Sequence, residues 1–176
     1  KAWGTYQKTT FVTPPFAGYI SGHSTYSRAG AEVLAGFTGS KYFPGGLGTY
    51  TLPQGWLSFE YGPTQDITLE WATYYDAADE AGISRLWGGI HIASDDRQGR
   101  IAGSQVGKTA WALAQRYYRG SADCAGDWNG VGGISVQDIF DFLTDYFSGN
   151  ADVNLDGATS VQDIFEFLTA WFGGCP

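Results

Sequence analysis

Methionine is absent, cysteine and histidine occur twice each, and no lysine or arginine follows Arg119. The chain opens at Lys1 in what reads as the middle of a loop, which together with the missing methionine suggests a fragment or processed product with further sequence upstream. No apolar run approaches the roughly 20 residues that a bilayer-spanning helix needs, and no basic-then-apolar leader opens the chain, so no membrane span is expected. The basic residues form no cluster that could neutralise a phosphate backbone, which argues against nucleic acid as a partner. All ten Lys and Arg lie before residue 121, whereas residues 121–176 hold nine acids and no base. Such an acidic segment favours a hard cation such as Ca2+; the plainer alternative is a solvated acidic surface. Cys124 and Cys175 bracket that segment. A disulfide between them would tie its ends together and imply an oxidising compartment, hence a secreted or cell-surface protein, while a reduced buried pair is the alternative.

What is present suffices for one ordinary domain and a small appended one: 176 residues, 43% of them hydrophobic. Residues 1–20, with Pro14-Pro15, read as an extended lead-in. Tyr26, Ala29, Val33, Leu34 and Phe37 then fall on one helical face that Gly39 ends. From Ser40 to Pro63 glycine, proline and aromatic residues indicate a long surface loop holding a short hairpin. A second helix is predicted from about Asp66, as its N-cap, to Ser84, on the spacing of Ile67, Trp71, Tyr74, Tyr75 and Ala78. A third is predicted from about Gln98 to Arg119, with Ala102, Val106, Ala110, Leu113 and Tyr117 on its apolar face. The fold class is therefore all-α: a partial helical bundle over 1–120, with too few helices to close a complete core, and a smaller domain over 121–176.

That second domain is an internal duplication. Asp127-Trp-Asn-Gly-Val-Gly-Gly-Ile-Ser-Val-Gln-Asp138-Ile-Phe-Asp-Phe-Leu aligns with Asp152-Val-Asn-Leu-Asp-Gly-Ala-Thr-Ser-Val-Gln-Asp163-Ile-Phe-Glu-Phe-Leu. Each loop leads into a short amphipathic helix, Ile139, Phe142, Leu143, Tyr146 and Phe147 corresponding to Ile164, Phe167, Leu168, Trp171 and Phe172. Neither face can bury itself alone, so the two should pack together.

Both histidines stand in chemically suggestive company. Ser21-Gly22-His23 precedes a helix, where a hydroxyl and first-turn N–H groups can face an anion at the positive end of the helix dipole. Ser84-Arg85 is followed, after five residues, by His91 and, after three more, by Asp95. Arg85 can fork two charged hydrogen bonds onto an oxyanion. His91 can offer a ring nitrogen to its central atom, with Asp95 holding the proton of the other nitrogen. The two segments together predict a site for a tetrahedral oxyanion such as phosphate or vanadate.

These segments resemble the second and third signatures of the superfamily shared by vanadium-dependent haloperoxidases and type-2 phosphatidic acid phosphatases. The stretch from Thr13-Pro-Pro-Phe through Ser21-Gly-His-Ser-Thr to Trp87-Gly-Gly-Ile-His91 is most similar to soluble bacterial haloperoxidase-like proteins. The resemblance implies that His91 is the axial vanadate ligand, or the phosphorylated nucleophile of a phosphatase, and that His23 is the acid-base residue opposite. Ser21, Gly22 and Arg85 would hold the equatorial oxygens. The expected reaction is oxidation of halide by hydrogen peroxide on a vanadate cofactor; the alternative is hydrolysis of a soluble phosphate ester through phosphohistidine. The family's first signature, a Lys followed seven residues later by Arg-Pro, does not occur in this chain. Its two cationic ligands are expected upstream of Lys1, the alternative being an inactive site.

The repeats read as EF-hand-type calcium loops, with oxygen ligands at positions 1, 3, 5 and 12, a carbonyl at 7 and glycine at 6. The second loop offers Asp152, Asn154, Asp156, the Ala158 carbonyl and Asp163, with Gly157 at the turn. The first offers Asp127, Asn129, the Gly133 carbonyl and Asp138, with Gly132 at the turn, but Val131 replaces the fifth-position acid, so one competent and one weakened site are expected. Aspartate at position 12 and the loop-helix duplication resemble a type I dockerin, which implies a cohesin-like protein partner. The positions that usually carry Ser-Thr in that family hold Val136-Gln137 and Val161-Gln162. A third reading keeps the chain as a non-catalytic, calcium-dependent interaction module.

Overall fold

The computed structural model describes Gly4, residues 7–119 and residues 124–174. Two compact units divide the chain, Lys1–Ser104 and Gln105–Pro176. Five helices and one strand pair occur among the described residues: α1 (Gly22–Thr38), β1 (Gly48–Leu52), β2 (Ile67–Trp71), α2 (Tyr74–Trp87), α3 (Ala93–Arg119), α4 (Val136–Phe147) and α5 (Val161–Gly173). The division falls inside α3.

The fold is mostly helical as expected, and departs from all-α in the antiparallel pair β1–β2, in which Gly48 faces Trp71 and Leu52 faces Ile67. Residues 67–71 were expected to begin the second helix. Their helical spacing coincides with an equally regular alternation, Ile67, Leu69, Trp71, in a β-branched and aromatic context that suits a strand. Asp66 accordingly caps no helix and instead accepts the Gln54 N–H at 2.8 Å across the connection. The cap of α2 is Thr73, which forms a reciprocal capping box with Asp76.

In the first unit the three helices meet through small residues. The apolar stripe expected to bury α1 stays exposed at Tyr26, Leu34 and Phe37; its buried positions are Ser24 and Ala31. A small cluster of Ala31, Tyr74 and Ala78, backed by Ala35, Phe43 and Tyr75, forms the apolar core. On α3 the buried positions in this unit are Asp95, Asp96, Gly99 and Gly103. A Cβ at Gly99 would lie 2.9 Å from the Ser21 carbonyl oxygen, and one at Gly103 would collide with that of Thr25. Only glycine lets α1 approach this closely. Glu32 of α1 then gathers donors from all three helices: Arg28 Nε at 3.2 Å, Tyr75 OH at 2.8 Å and Ser104 Oγ at 2.6 Å. Burial, with Glu32 accepting its proton, pushes the Tyr75 hydroxyl up to about 12.

The second unit has a denser core. Phe142 of α4 and Phe167 of α5 stack with centroids 4.1 Å apart and planes 1° from parallel, and Trp128 meets both edge-on. Ala151 and Val153 complete the buried set, with Ile139, Leu143, Tyr146, Ile164, Leu168 and Trp171 around it. The two repeat faces do pack on each other; their last aromatics, Phe147 and Phe172, remain exposed. On α3, Val106, Leu113 and Tyr117 are exposed rather than buried as their periodicity predicted.

Candidate functional site

Ser21 is the N-cap of α1 and is wholly buried. Its Oγ accepts weakly from the Ser24 N–H at 3.4 Å and lies 2.9 Å from Ser24 Oγ, so the hydroxyl expected to face an anion serves the helix start instead. Gly22 and His23 follow as the first helical residues, where N–H groups have no intrahelical acceptor. Arg85 sits in the last turn of α2, its guanidinium carbon 5.9 Å from the centroid of the Phe11 ring. His91 lies in the short turn between α2 and α3, buried beside Phe16.

His91 Nδ1 is 3.2 Å from Asp95 Oδ2 in the first turn of α3. A carboxylate only accepts, so Nδ1 carries a proton, and in the neutral ring Nε2 is the nitrogen with the free lone pair. Asp95 also receives the Ile92 N–H, at 3.4 Å, while its own carbonyl accepts from Ser21 N at 3.2 Å. The start of α3 thereby joins the two motif segments.

A cavity of about 440 Å³ gathers Gly22, His23, Arg85 and His91 with Pro14 and Phe16 among its lining, and no carboxylate is exposed on its walls. Four of the expected residues are brought together; Ser21 and Asp95 stand behind the lining. Arg85 Nε is buried with no hydrogen-bond partner. A cationic donor withheld from water and from any protein acceptor is costly unless an anion meets it, so these residues fit an oxyanion.

Burial, followed by the positive charge of Arg85 and of His91, holds the His23 imidazole below its ordinary 6.5. The unfolded chain therefore takes up this proton first as pH falls. His23 contributes stability that is present above about pH 6.5 and lost on further acidification. An anion in the cavity opposes the same charges. Because the chain has only two histidines, proton NMR should resolve a titration for His23 below 6.5 that moves upward when inorganic phosphate or vanadate is added; a midpoint indifferent to either anion would contradict this electrostatic account.

The duplicated loops share positive φ at the fourth and sixth positions, Gly130 and Gly132 in the first, Leu155 and Gly157 in the second, and differ at the seventh, where Gly133 has positive φ and Ala158 does not. Among the described residues, however, no three His, Cys, Asp or Glu side chains stand close enough to hold a metal ion. Asp163 Oδ1 receives the N–H groups of Val153 and Asn154, and Oδ2 that of Ser160. Asp138 does the same for Asn129 and Ser135. Both twelfth-position aspartates thus close capping boxes with Ser135 and Ser160, a role visible in the sequence as Ser-Val-Gln-Asp and not anticipated. Asp152 accepts from Asp156 and Gly157, Asn154 from Asp156, and Asp156 from Ala158. In the first loop Asn129 binds Asp141 and Val131, while Asp127 Oδ1 is buried without a partner. The Cys124–Cys175 pairing involves a residue, Cys175, outside the described ones.

The first unit thus lines one cavity with a histidine held by a carboxylate, a second histidine and an arginine whose Nε has no hydrogen-bond partner. Over residues 1–120 the chain matches the VCPO second helical-bundle domain, and it belongs to the vanadium haloperoxidase family. No curated protein matches it.

Proposed function

We propose that the chain takes part in vanadate-dependent oxidation of halide by hydrogen peroxide. The observation that carries this reading is Arg85 Nε, buried and unpartnered beside both histidines. Vanadate would be held by the Arg85 guanidinium, the first-turn N–H groups at Gly22 and the Nε2 lone pair of His91. When bound it would supply a Lewis-acid centre that activates hydrogen peroxide toward halide. Asp95 keeps the His91 proton on Nδ1. His23, neutral near pH 7 by its lowered pKa, can take a proton from incoming peroxide and return it to the leaving oxygen. Phe16 and Pro14 give one side of the cavity an apolar lining.

The test is bromide oxidation after reconstitution with vanadate, beside hydrolysis of a soluble phosphomonoester. Halide oxidation that requires vanadate supports the proposal. Ester hydrolysis that vanadate inhibits would instead favour the phosphohistidine reading, which uses His91 as nucleophile and His23 as acid.

For the second unit we propose calcium binding in a dockerin-like module, with a cohesin-like partner, a Cys124–Cys175 disulfide and export as its corollaries. The positive φ shared at the fourth and sixth loop positions supports this, as does the crowding of acids. Burial raises the pKa of Asp152; the Gly157 and Asp156 N–H groups oppose that rise, and the Asp163 and Asp156 carboxylates add to it. Binding would require the loop hydrogen bonds to give way to metal–oxygen contacts. Millimolar Ca2+ should then raise the melting temperature of this unit relative to excess EGTA, and Asp152→Asn should remove the difference. A melt indifferent to calcium would leave the loops as turns closed by their own hydrogen bonds.

A further inference from the structure

Ser24 and Asp96 do not line the cavity, yet they form a buried polar contact behind it. Ser24 is wholly buried in the first turn of α1, one residue after His23. Its Oγ donates to Asp96 Oδ1 at 2.7 Å and lies 2.9 Å from Ser21 Oγ. A hydroxyl has one proton, and the carboxylate is the stronger acceptor, so the proton between the serines comes from Ser21. Asp96 is aimed by Arg100, whose Nε lies 3.0 Å from Oδ1 and whose other end bridges to Asp79 at 2.8 Å.

The fit around this pair leaves no slack. A Cβ at Gly82 of α2 would collide with Asp96 Oδ1 and lie 2.9 Å from Ser24 Oγ; one at Gly99 of α3 would lie 2.9 Å from Ser24 Cβ. Three helices therefore converge on one hydroxyl-carboxylate bond, directly beneath the residues whose N–H groups and imidazole face the cavity.

We infer that Asp96, acting through Ser24, is a positioning residue that fixes the first turn of α1 and so the placement of Gly22 and His23 toward a bound oxyanion. The inference rests on the oxyanion reading of the cavity. Asp95 and Asp96 divide the work: the first holds His91, the second holds the opposite wall. Neither Ser24 nor Asp96 lines the cavity, so both act on binding only through geometry.

The probe is inorganic vanadate, titrated into the protein by calorimetry well below the melting temperature of every variant. Ser24→Ala and Asp96→Asn should each weaken binding about tenfold, the scale of one lost charge-assisted hydrogen bond. Because the two act as one unit, the double variant should bind no more than about twofold worse than the weaker single. Ser104→Ala, which removes the hydrogen bond from α3 to Glu32 of α1 away from the cavity, controls for general loosening and should bind as wild type. Wild-type affinity in Ser24→Ala and Asp96→Asn, additive losses in the double variant, or an equal loss in Ser104→Ala would each overturn the inference. Failure of the unaltered protein to bind vanadate would overturn the oxyanion reading itself, a result separable from the others because it appears without any substitution.

Discussion

His91→Ala should lower vanadate-dependent bromide oxidation by about 10²- to 10⁴-fold, the range seen when a histidine central to a reaction is removed. The size follows from how much of the site converges on this ring. His91 is buried, its proton is fixed by Asp95 at 3.2 Å, and its second nitrogen is the only one in the cavity whose orientation a carboxylate sets. His23 cannot replace it: no carboxylate bonds to it, and the neighbouring Arg85 and His91 disfavour its protonation. The substitution also leaves Asp95 without its ring partner, so thermal unfolding must accompany the assay. Loss of activity with an unchanged melt assigns the effect to chemistry, whereas retention of bromide oxidation within about tenfold of wild type would displace His91 from the centre of the mechanism.

Phe142→Ala should unfold the second unit while leaving the first intact. Truncating a buried phenylalanine costs about 3–5 kcal/mol through lost burial and the cavity left behind. A core of this size supplies only about 3–5 kcal/mol in total. Phe142 is 1% exposed, stacks on Phe167 and receives the edge of Trp128, so no neighbour can slide in without breaking both ring contacts. Hydrogen exchange should show α4 and α5 losing amide protection together while α1 and α2 keep theirs. Protection retained in α4 and α5 would mean that the rest of the cluster, from Ile139 to Trp171, holds the unit without the stacked pair.

The parts of this molecule that announce themselves in sequence are those where one residue type carries one meaning. The repeat at Asp127 and Asp152, the apolar faces of α4 and α5, and the company of His23 and His91 were legible on that basis, and the cavity assembles Gly22, His23, Arg85 and His91 as their spacing suggested. Elsewhere one pattern served two structures. Ile67 and Trp71 fit a helix and a strand equally well, and the strand won because Thr73 and Asp76 start α2 later. Ser21 was legible as important but not as a buried cap, since the same side chain can face a ligand or its own helix. Gly99 and Gly103 carried no signal in the sequence; glycine inside a helix signals weakness until the backbone it must admit, here Ser21 and Thr25, is known. Asp138 and Asp163 satisfied a ligand pattern and a capping pattern at once, and the described structure shows the cap.

Asp95 and Asp96 are consecutive residues on a helix, so their side chains leave the axis about 100° apart. One reaches the turn that carries His91; the other reaches α1. Any roll of α3 about its own axis therefore swings both in the same sense, and the two walls of the cavity shift together rather than separately. The first turn of α3 is thus a shared support: a perturbation that displaces it reaches His91 through Asp95 and the start of α1 through Asp96.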